Sequence, residues 1–302
     1  MASLRWLPIF HDAEARMAVR EIKKVVVLAN STKANVQSIC DDFLAYLSNH
    51  GIESSLMMLS STVEDLSLDV PQCDLVVSLG GDGTVLTCAV LLRGRNIPIL
   101  AVNMGTFGYI AETPVHEIYR VFEEFQSGKT DVYSRMMLDV DVRRGGKTVF
   151  SSCSLNDVTV SAISHARMAK MDLYVNDILG AKLKGDGIII ATPTGSTAYS
   201  LAAGGPILDA SLDAIIINPI CPFTMSVRPL VVNKDSRIRL SLPRQNTEVS
   251  LTCDGHEVFS VVEGDEIHVF QGKNRALFVE NSQRRFIEVL REKLGWAGGF
   301  NA

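Results

Sequence analysis

The sequence predicts an α/β domain with a parallel sheet, followed by a second domain that is mostly β. Over the first 130 residues, continuous apolar runs of strand length alternate with helical patterns. Such a pattern is typical of a parallel sheet covered on both faces. After about Thr130, strand-like segments follow one another without long helices between them. A chain of 302 residues has room for two such domains.

The first domain is expected to cover residues 21–130, after an N-terminal extension of residues 1–20. Residues 24–30 (KVVVLAN) form an unbroken apolar run, and apolar residues recur at helical spacing from Val36 onward. Further strands are expected near 55–59, 74–79 and 97–102, and helices near 85–92 and 115–125.

The second domain is expected to be β-rich and to cover residues 131–272. Its strands are predicted near 137–143, 148–153, 157–161, 170–176, 187–192, 237–242, 248–253 and 266–270. A helical pattern then follows Ser282 and ends near Gly295. We therefore expect residues 273–302 to return to the first domain as a C-terminal helix.

Composition excludes several functional classes. The net charge is −5 at pH 7, so no overall basic field attracts nucleic acid or anionic lipid. No uncharged apolar run reaches the length of a membrane span. The six cysteines stand apart, without the spacing of a zinc site, which favours reduced thiols and a cytoplasmic protein with no dedicated metal cluster. A polyanionic ligand would need a local site.

The glycines fall in five short clusters at strand ends or turns. In an open α/β sheet, ligands bind at the carboxyl ends of strands, where glycine lets backbone N–H groups approach phosphate closely. The clustered residues are Gly80, Gly81, Gly83, Gly105, Gly108, Gly185, Gly187, Gly195, Gly204 and Gly205.

The first cluster combines a buried strand, the loop GGDGT and a helix. Gly80, Gly81, Gly83 and Thr84 are predicted to form a phosphate loop at the helix N-terminus. Asp82 could cap the helix, but a cap does not require glycine on both sides. The flanking glycines favour a phosphate chain against the backbone, with Asp82 facing a hydroxyl or a metal. The loop matches neither GxxxxGK[ST] nor GxGxxG.

Two segments of the second domain carry further polar groups. The Asn156–Asp157 pair offers an amide for a base edge and a carboxylate for ribose hydroxyls. Residues 185–206 (GDGIIIATPTGSTAYSLAAGGP) place hydroxyls around glycines beside Tyr199, which fits a polar ligand with a flat ring. In the first domain, the loop 103–109 follows the strand next to the Asp82 loop and is expected to neighbour it.

In these motifs the chain resembles the NAD kinases, which phosphorylate the 2′-hydroxyl of the adenosine ribose of NAD. GGDGT alone is shared with phosphofructokinases and lipid kinases, whereas the TPTGSTAYSLAAGGP block is not. The matching blocks are Gly80–Thr84, Asn103–Tyr109, Leu155–Val158, Asp186–Gly187, Thr192–Pro206, Pro219–Val231, Asp254–Gly255 and Phe286–Trp296.

The resemblance implies a role for each matching position. Asp82 would accept the proton of the 2′-hydroxyl, with Gly83 contacting the dinucleotide. Asn156 and Asp157 would bind the base and the ribose hydroxyls, and the ring of Tyr199 would stack on a ring of the ligand. The remaining implied binding residues are Arg167, Lys184, Asp186, Thr194, Thr197, Ala198, Ser200, Leu201, Ala202 and His256.

The resemblance also implies ATP as phosphoryl donor, Mg²⁺ bridging its oxygens, and a homodimer or homotetramer. Three positions depart from the family: Asp157 replaces Glu, Phe223 replaces His, and His256 stands where Gln is frequent. Two alternatives stay open at this point. One is a GGDGT kinase acting on a sugar phosphate or a lipid, and the other is an NAD-binding sensor without catalysis.

Overall fold

The computed structural model describes residues 21–60, 62–105, 108–163, 167–224, 226–283 and 286–295. The expected N-terminal extension lies outside the described residues, as do Thr106, Phe107, Met225 and Trp296 of the matching blocks. Within the described ranges, no helix combines the length and the apolar character needed to cross a membrane.

The first part of the chain alternates strands with helices. Short 3₁₀ turns at Val63–Ser67 and Val115–Glu117 complete it. Its elements are β1 (Lys24–Asn30), α1 (Val36–Asn49), β2 (Glu53–Leu59), β3 (Leu75–Gly80), α2 (Asp82–Leu91), β4 (Ile99–Asn103), β5 (Thr113–Pro114) and α3 (Ile118–Gln126). The strands β2, β1, β3 and β4 lie side by side and are all parallel.

Helices cover both faces of this parallel sheet, which is why its strands β1, β3 and β4 are almost entirely apolar and buried. Successive side chains of β1 point to opposite faces. Val25 and Val27 belong to the core under α1 and α3, where the rings of Phe43 and Phe122 pack edge to face at 5.8 Å. The core under α2 lies on the opposite face and contains Val26.

The second part is almost entirely strands. Its elements are β6 (Val132–Arg144), β7 (Lys147–Ser154), β8 (Asp157–Ala162), β9 (Ala169–Val175), β10 (Ile178–Gly185), β11 (Gly187–Ala191), α4 (Tyr199–Ala202), β12 (Ala214–Ile220), β13 (Leu230–Asn233), β14 (Ile238–Ser241), β15 (Val249–Cys253), β16 (Glu257–Val261), β17 (Glu266–Val279) and α5 (Phe286–Leu294). Six of them form an antiparallel sheet in the order β13-β12-β11-β8-β15-β16.

Strand β17 joins the two parts of the molecule. Its first half pairs with β6 and β14, and Ile267 and Val269 enter the core of the second part. Its second half enters the first part, where Phe278 pairs with Ile99 of β4 and packs in the core under α2. One sheet of eleven strands therefore runs through both parts.

The predicted fold class is confirmed. The last strand is longer than predicted, for a physical reason. The alternating pattern predicts a last strand that ends at residue 270, whereas β17 continues to Val279. Its pairing with β6 shifts register between Gln271 and Arg275. That bulge contains Gly272 and interrupts the alternating pattern used for prediction. The domain limits stay predictions. Strand β17 extends across the predicted limit at residue 272.

Phe278→Ala tests the link between the two parts. The ring is fully buried, so its removal is expected to lower the free energy of unfolding by about 3–5 kcal/mol. Chemical denaturation, followed by far-UV circular dichroism, measures the loss in the free energy of unfolding. The control is Val149→Ala in β7, where the side chain is 44% exposed. A loss no larger than that of the control contradicts this assignment of Phe278.

Candidate active site

Asp82 is the first residue of α2, and its carboxylate faces the loop that follows β4. Its Oδ2 accepts the backbone N–H of Tyr109 at 2.8 Å. Its Oδ1 accepts the N–H groups of Ile110 and Ala111 at 3.1 and 2.9 Å. A carboxylate has about four acceptor positions, so Oδ2 keeps one for a further donor. Asp82 thus fixes the neighbouring loop and can still bind a hydroxyl.

The glycines around Asp82 have two different roles. Two of them allow close packing: a Cβ at Gly108 would overlap the Asp82 carboxylate, and a Cβ at Gly80 would overlap the hydroxyl of Thr84. Gly81 and Gly83 differ, because no heavy atom of the described chain lies within 4 Å of a Cβ built there. Their backbone is therefore open on one side, as the binding of a phosphate chain requires.

Two open cavities share the Gly81 and Gly83 backbone. The larger, of about 390 Å³, also contains Asp82, Asn103, Gly105, Gly108 and the lysines Lys33 and Lys293 in its walls. The smaller, of about 190 Å³, includes His256 from the second part of the chain. The predicted phosphate loop and one predicted binding residue of the second part therefore line the same crevice.

A second carboxylate, that of Asp254, organises the Asn156–Asp157 loop. Asp254 and Gly255 form the turn between β15 and β16, with φ of +50° and +72°. The Asp254 carboxylate accepts three consecutive backbone N–H groups, those of Leu155, Asn156 and Asp157, at 2.8, 2.8 and 3.0 Å. The N–H of Asp254 in turn donates to the Asp157 carbonyl at 3.0 Å. The loop is held from the adjacent strand turn.

The segment after β11 packs on the same loop. The N–H of Thr192 donates to the Asn156 carbonyl at 2.8 Å, and the Thr192 hydroxyl donates to the Leu155 carbonyl at 2.6 Å. Gly195 passes so close that a Cβ there would overlap the carbonyl of Asn156. The 3₁₀ turn Thr194–Thr197 is therefore fixed beside Asn156.

Most hydroxyls of this segment serve the fold. Ser196 donates to the Pro193 carbonyl, and Thr197 donates to the Thr194 carbonyl. Ser200 is fully buried, with its Oγ 3.3 Å from Nδ2 of Asn218. Tyr199 is different, because half of its side chain is exposed. Its exposed ring offers a flat surface that a flat ligand could cover. The contacts predicted for Ala198, Ser200, Leu201 and Ala202 stay predictions.

Asp157 and Asp254 are buried carboxyl groups with raised pKa values. Burial, followed by the charge of Asp254, raises the pKa of Asp157 to about 7, against one hydrogen bond from Thr159. Burial raises the pKa of Asp254 to about 6, against its three backbone N–H bonds. Because Asp254 has more donors, the pair's proton resides preferentially on Asp157. Next to them, the buried Oδ1 of Asn156 has no partner in the described chain.

The structure places Arg167, Lys184 and Asp186 away from this crevice. The Asp186 carbonyl accepts the N–H of Ala162, at the end of β8 opposite to Asp157. At about 3.3 Å per residue, the two ends of β8 are roughly 17 Å apart. Arg167 and Lys184 instead line an open cavity of about 550 Å³. Phe223 lies near this end, with Nζ of Lys184 5.0 Å from its ring centroid.

Comparisons with known proteins agree along the chain. The ATP-NAD kinase N-terminal domain matches residues 13–130, and the ATP-NAD kinase C-terminal domain matches residues 155–281. The chain belongs to the ATP-NAD kinase family. Family membership confirms the predicted resemblance and identifies the protein as a phosphotransferase.

Relatives of this family are similar over nearly their whole length. The NAD kinases of Geotalea daltonii and Geobacter sulfurreducens are each 38% identical over 281 residues, covering 91% of this chain and 99% of theirs. A crystal structure of yeast NADH kinase complexed with NADH superposes with a TM-score of 0.81 at 25% identity, covering 93% of this chain and 90% of that one. An NAD kinase from Archaeoglobus fulgidus in complex with ATP shares the fold, with a TM-score of 0.72 at 24% identity, covering 91% of this chain and 100% of that one. These findings favour NAD kinase activity over a sugar-phosphate kinase, a lipid kinase or a sensor.

Sequence reasoning assigned no role to Asp254, Lys33 or Lys293. An Asp–Gly pair between two alternating strands indicates a hairpin turn, so the sequence predicts that Asp254 lies in a turn. The sequence does not predict its hydrogen bonds to a loop about a hundred residues earlier in the chain. Nothing in the sequence separates Lys33 from other lysines, and Lys293 lies in the matching block Phe286–Trp296 without an implied role. Only the fold brings the two lysines to one cavity.

Asp157→Asn is expected to make the stability of the protein less dependent on pH. The folded-state pKa of Asp157, about 7, lies above the usual 3.8. Its contribution is therefore fully favourable below about pH 4 and is lost as the pH rises through 7. The variant is expected to match the native chain at pH 4 and to exceed its free energy of unfolding by about 2–4 kcal/mol at pH 8.

Urea unfolding at pH 4, 6 and 8 measures this difference. The exposed Asp235 provides the matched control, because Asp235→Asn removes a carboxylate from the surface. An equal effect of Asp157→Asn at all three pH values would contradict the raised pKa of the buried carboxyl.

Proposed function

We propose that the protein transfers the terminal phosphoryl group of ATP to the 2′-hydroxyl of the adenosine ribose of NAD, which yields NADP. The observation that carries this proposal is the free acceptor position on Asp82 Oδ2, which lies at an open cavity with a glycine-lined wall. Family membership and the relatives named NAD kinase support it.

The phosphate chain of ATP would lie against Gly81 and Gly83. The first N–H groups of a helix have no partner within the helix, and they carry the positive end of its dipole. At α2 these groups belong to residues next to Asp82, where the backbone is open. The loop can therefore stabilise charge on the transferring phosphoryl group without a cationic side chain of its own.

Asp82 would position the attacking hydroxyl. In this mechanism the 2′-hydroxyl donates to Oδ2, and its oxygen forms the new bond to the terminal phosphorus. The bond between that phosphorus and the bridging oxygen breaks, ADP leaves, and the proton passes to Asp82. Phosphoryl transfer depends mainly on position and charge stabilisation. The three N–H bonds that fix the carboxylate support this role.

NAD would bind along the surface from Asp82 to the Asn156–Asp157 loop. The unpartnered Oδ1 of Asn156 can accept a hydrogen bond from a base amine. Asp157 can face ribose hydroxyls, either as a carboxylate or as an acid that donates. The exposed ring of Tyr199 can stack on a ring of the ligand. Thr194 and His256 would complete the surface.

A divalent cation, Mg²⁺ by preference, would be held at the larger cavity together with the phosphates of the donor. Mg²⁺ keeps several waters and binds through one or two carboxylates plus substrate phosphates. Within the described residues no cluster of three His, Cys, Asp or Glu side chains is present. Asp82 and Asn103 have side-chain oxygens at the larger cavity, which fits this mode of binding. The cation would neutralise charge that develops on the phosphates.

We also infer a homodimer or homotetramer in the cytoplasm. The predicted binding residues Arg167, Lys184 and Asp186 lie about one strand length from Asp157, and a second copy could bring them to the crevice. The strand β13 is an edge of its sheet, and Leu230 and Val231 are exposed on it. Exposed apolar edge strands are common pairing surfaces.

An assay of NADP formation tests the proposed function. NAD and NADH are each combined with ATP, other nucleoside triphosphates or polyphosphate, with and without Mg²⁺. NADP formation from NAD and ATP, dependent on the cation, is the expected result. Phosphorylation of a sugar phosphate or a lipid without NADP formation would contradict the proposal, as would NAD binding without turnover.

Asp82→Asn is expected to reduce turnover about 10²- to 10⁴-fold, since the proton acceptor is lost. The amide Oδ1 can keep two N–H bonds, but its NH₂ group faces the N–H of Tyr109. We therefore expect a loss of about 1–2 kcal/mol in the free energy of unfolding as well. Steady-state kinetics and urea unfolding measure the two effects, and Asp235→Asn is the control. Near-normal turnover in the folded variant would contradict the role of Asp82.

Tyr199→Ala is expected to weaken NAD binding about tenfold, because a stacked ring contributes about 1–3 kcal/mol per base. Its effect on ATP binding should be small. Isothermal calorimetry with NAD measures the change. Tyr199→Phe keeps the ring and serves as the matched control, with affinity close to that of the native chain. Unchanged affinity in Tyr199→Ala would show that the ring does not contact the ligand.

A further inference from the structure

Two lysines from opposite ends of the chain line the larger cavity together with Asp82. Lys33 follows β1, and Lys293 lies in the last turn of α5. Between them the cavity wall consists of glycine backbone from the Asp82 loop and from the loop after β4. Neither lysine belongs to the glycine-rich motifs, and the mechanism above assigns no role to either.

Lys33 is directed to the glycine backbone. Its Nζ lies 3.6 Å from the position that a Cβ at Gly105 would occupy, so a larger residue at 105 would contact the ammonium group. The N–H of Gly105 is held at 2.9 Å by the Asn103 side chain, which fixes this part of the wall. Lys33 is partly buried and forms no ion pair with the described part of the chain. Its charge is available to a ligand in the cavity.

Lys293 reaches the cavity from α5. Val289 and Leu290 are buried and anchor this helix, while the Lys293 Nζ lies 5.7 Å from the ring centroid of Tyr109. Tyr109 is also the residue whose N–H donates to Asp82 Oδ2. Lys293 is therefore held against the same loop that Asp82 fixes, and it lines the same cavity as Asp82.

The charges around the cavity favour a polyanion. Asp82 contributes one carboxylate, which is already hydrogen-bonded by three N–H groups. The adjoining smaller cavity adds His256 and Asp65, whose carboxylate accepts bonds from Ser60 and Thr62. Two lysine side chains thus line the same cavity as Asp82. In a chain of net charge −5, this local pair opposes the overall field.

We propose that Lys33 and Lys293 are donor-phosphate ligands, which bind the non-bridging oxygens of the terminal phosphates from two sides of the Gly81–Gly83 backbone. This inference rests on the proposed function. The shared chemistry is a chain of terminal phosphates, which ATP and inorganic polyphosphate both provide. Charge-assisted bonds from ammonium to phosphate are stronger than neutral ones, so both lysines would contribute to donor affinity and to stabilisation of the leaving phosphates.

Lys33→Met and Lys293→Met test the proposal, because methionine keeps the length of the side chain and removes the charge. Each is expected to lower kcat/KM for ATP about 10- to 100-fold. The KM for NAD should change less than twofold. Lys147→Met, at the exposed start of β7, is the matched control and should leave both constants unchanged. Lys33→Arg and Lys293→Arg keep the charge and should retain most of the donor affinity.

Calorimetry separates the two phosphate sources and does not depend on turnover. ATP and tripolyphosphate are titrated into the native chain and into each methionine variant. Both ligands should bind about tenfold more weakly to the variants if the lysines contact the phosphate chain. A loss for ATP alone would overturn the proposal by assigning the lysines to the nucleoside. Unchanged affinity for both ligands, or a raised KM for NAD in place of ATP, would also overturn it.

Failure of the lysine proposal can be distinguished from failure of the proposed function. A native chain that forms no NADP would contradict the proposed function, while the tripolyphosphate titrations would still test the lysines. A variant that fails to fold is recognised by a lowered melting temperature, and its arginine counterpart then carries the test. Equal loss of tripolyphosphate binding in the arginine and methionine variants would contradict a role for the charge.

Discussion

The carboxylate of Asp82 determines the geometry of the crevice. It lies at the end of β3 and accepts three consecutive N–H groups of the loop after β4. A buried N–H without a partner costs about 1–3 kcal/mol, so this loop depends on the carboxylate for its conformation. The close approach of Gly108 is part of the same arrangement, because a side chain there would displace the carboxylate. The cavity exists because these two loops are fixed at this distance.

Asp254 has the same arrangement in the second part of the molecule. Its carboxylate also accepts three consecutive N–H groups, and here too a glycine, Gly195, passes against the held loop. In both places a carboxylate at a strand end replaces the regular hydrogen bonds that an irregular loop lacks. These hydrogen bonds restrict the conformations of both loops. His256, two residues after Asp254, lies in the cavity beside Gly83 and brings the two arrangements together.

Sequence reasoning predicted what depends on local pattern and missed what depends on packing. The buried strands, the Asp82 loop and its glycine-rich backbone follow from hydrophobic periodicity and local backbone needs. The hydroxyls near Tyr199 appeared to be ligand groups, yet Ser196 and Thr197 bond to nearby carbonyls. A serine that stabilises a loop and one that binds a ligand look alike in sequence. In the sequence, Lys33 looks like any exposed lysine. Its place in the cavity depends on residues that are distant in the chain.

The negative charge of the chain is offset locally at the crevice. Four carboxyl groups of the described residues lie in or next to it. Asp65 accepts hydrogen bonds from Ser60 and Thr62. Asp82 and Asp254 distribute their charge over backbone N–H bonds, whereas Asp157, with one hydroxyl donor, has a pKa of about 7 and retains a proton over much of the neutral range. A protonated Asp157 adds no repulsion toward a phosphorylated ligand and can donate to it. A ligand hydroxyl that donates to Asp157 favours its ionised form instead. The protonation of Asp157 would therefore depend on the group of the ligand that contacts it.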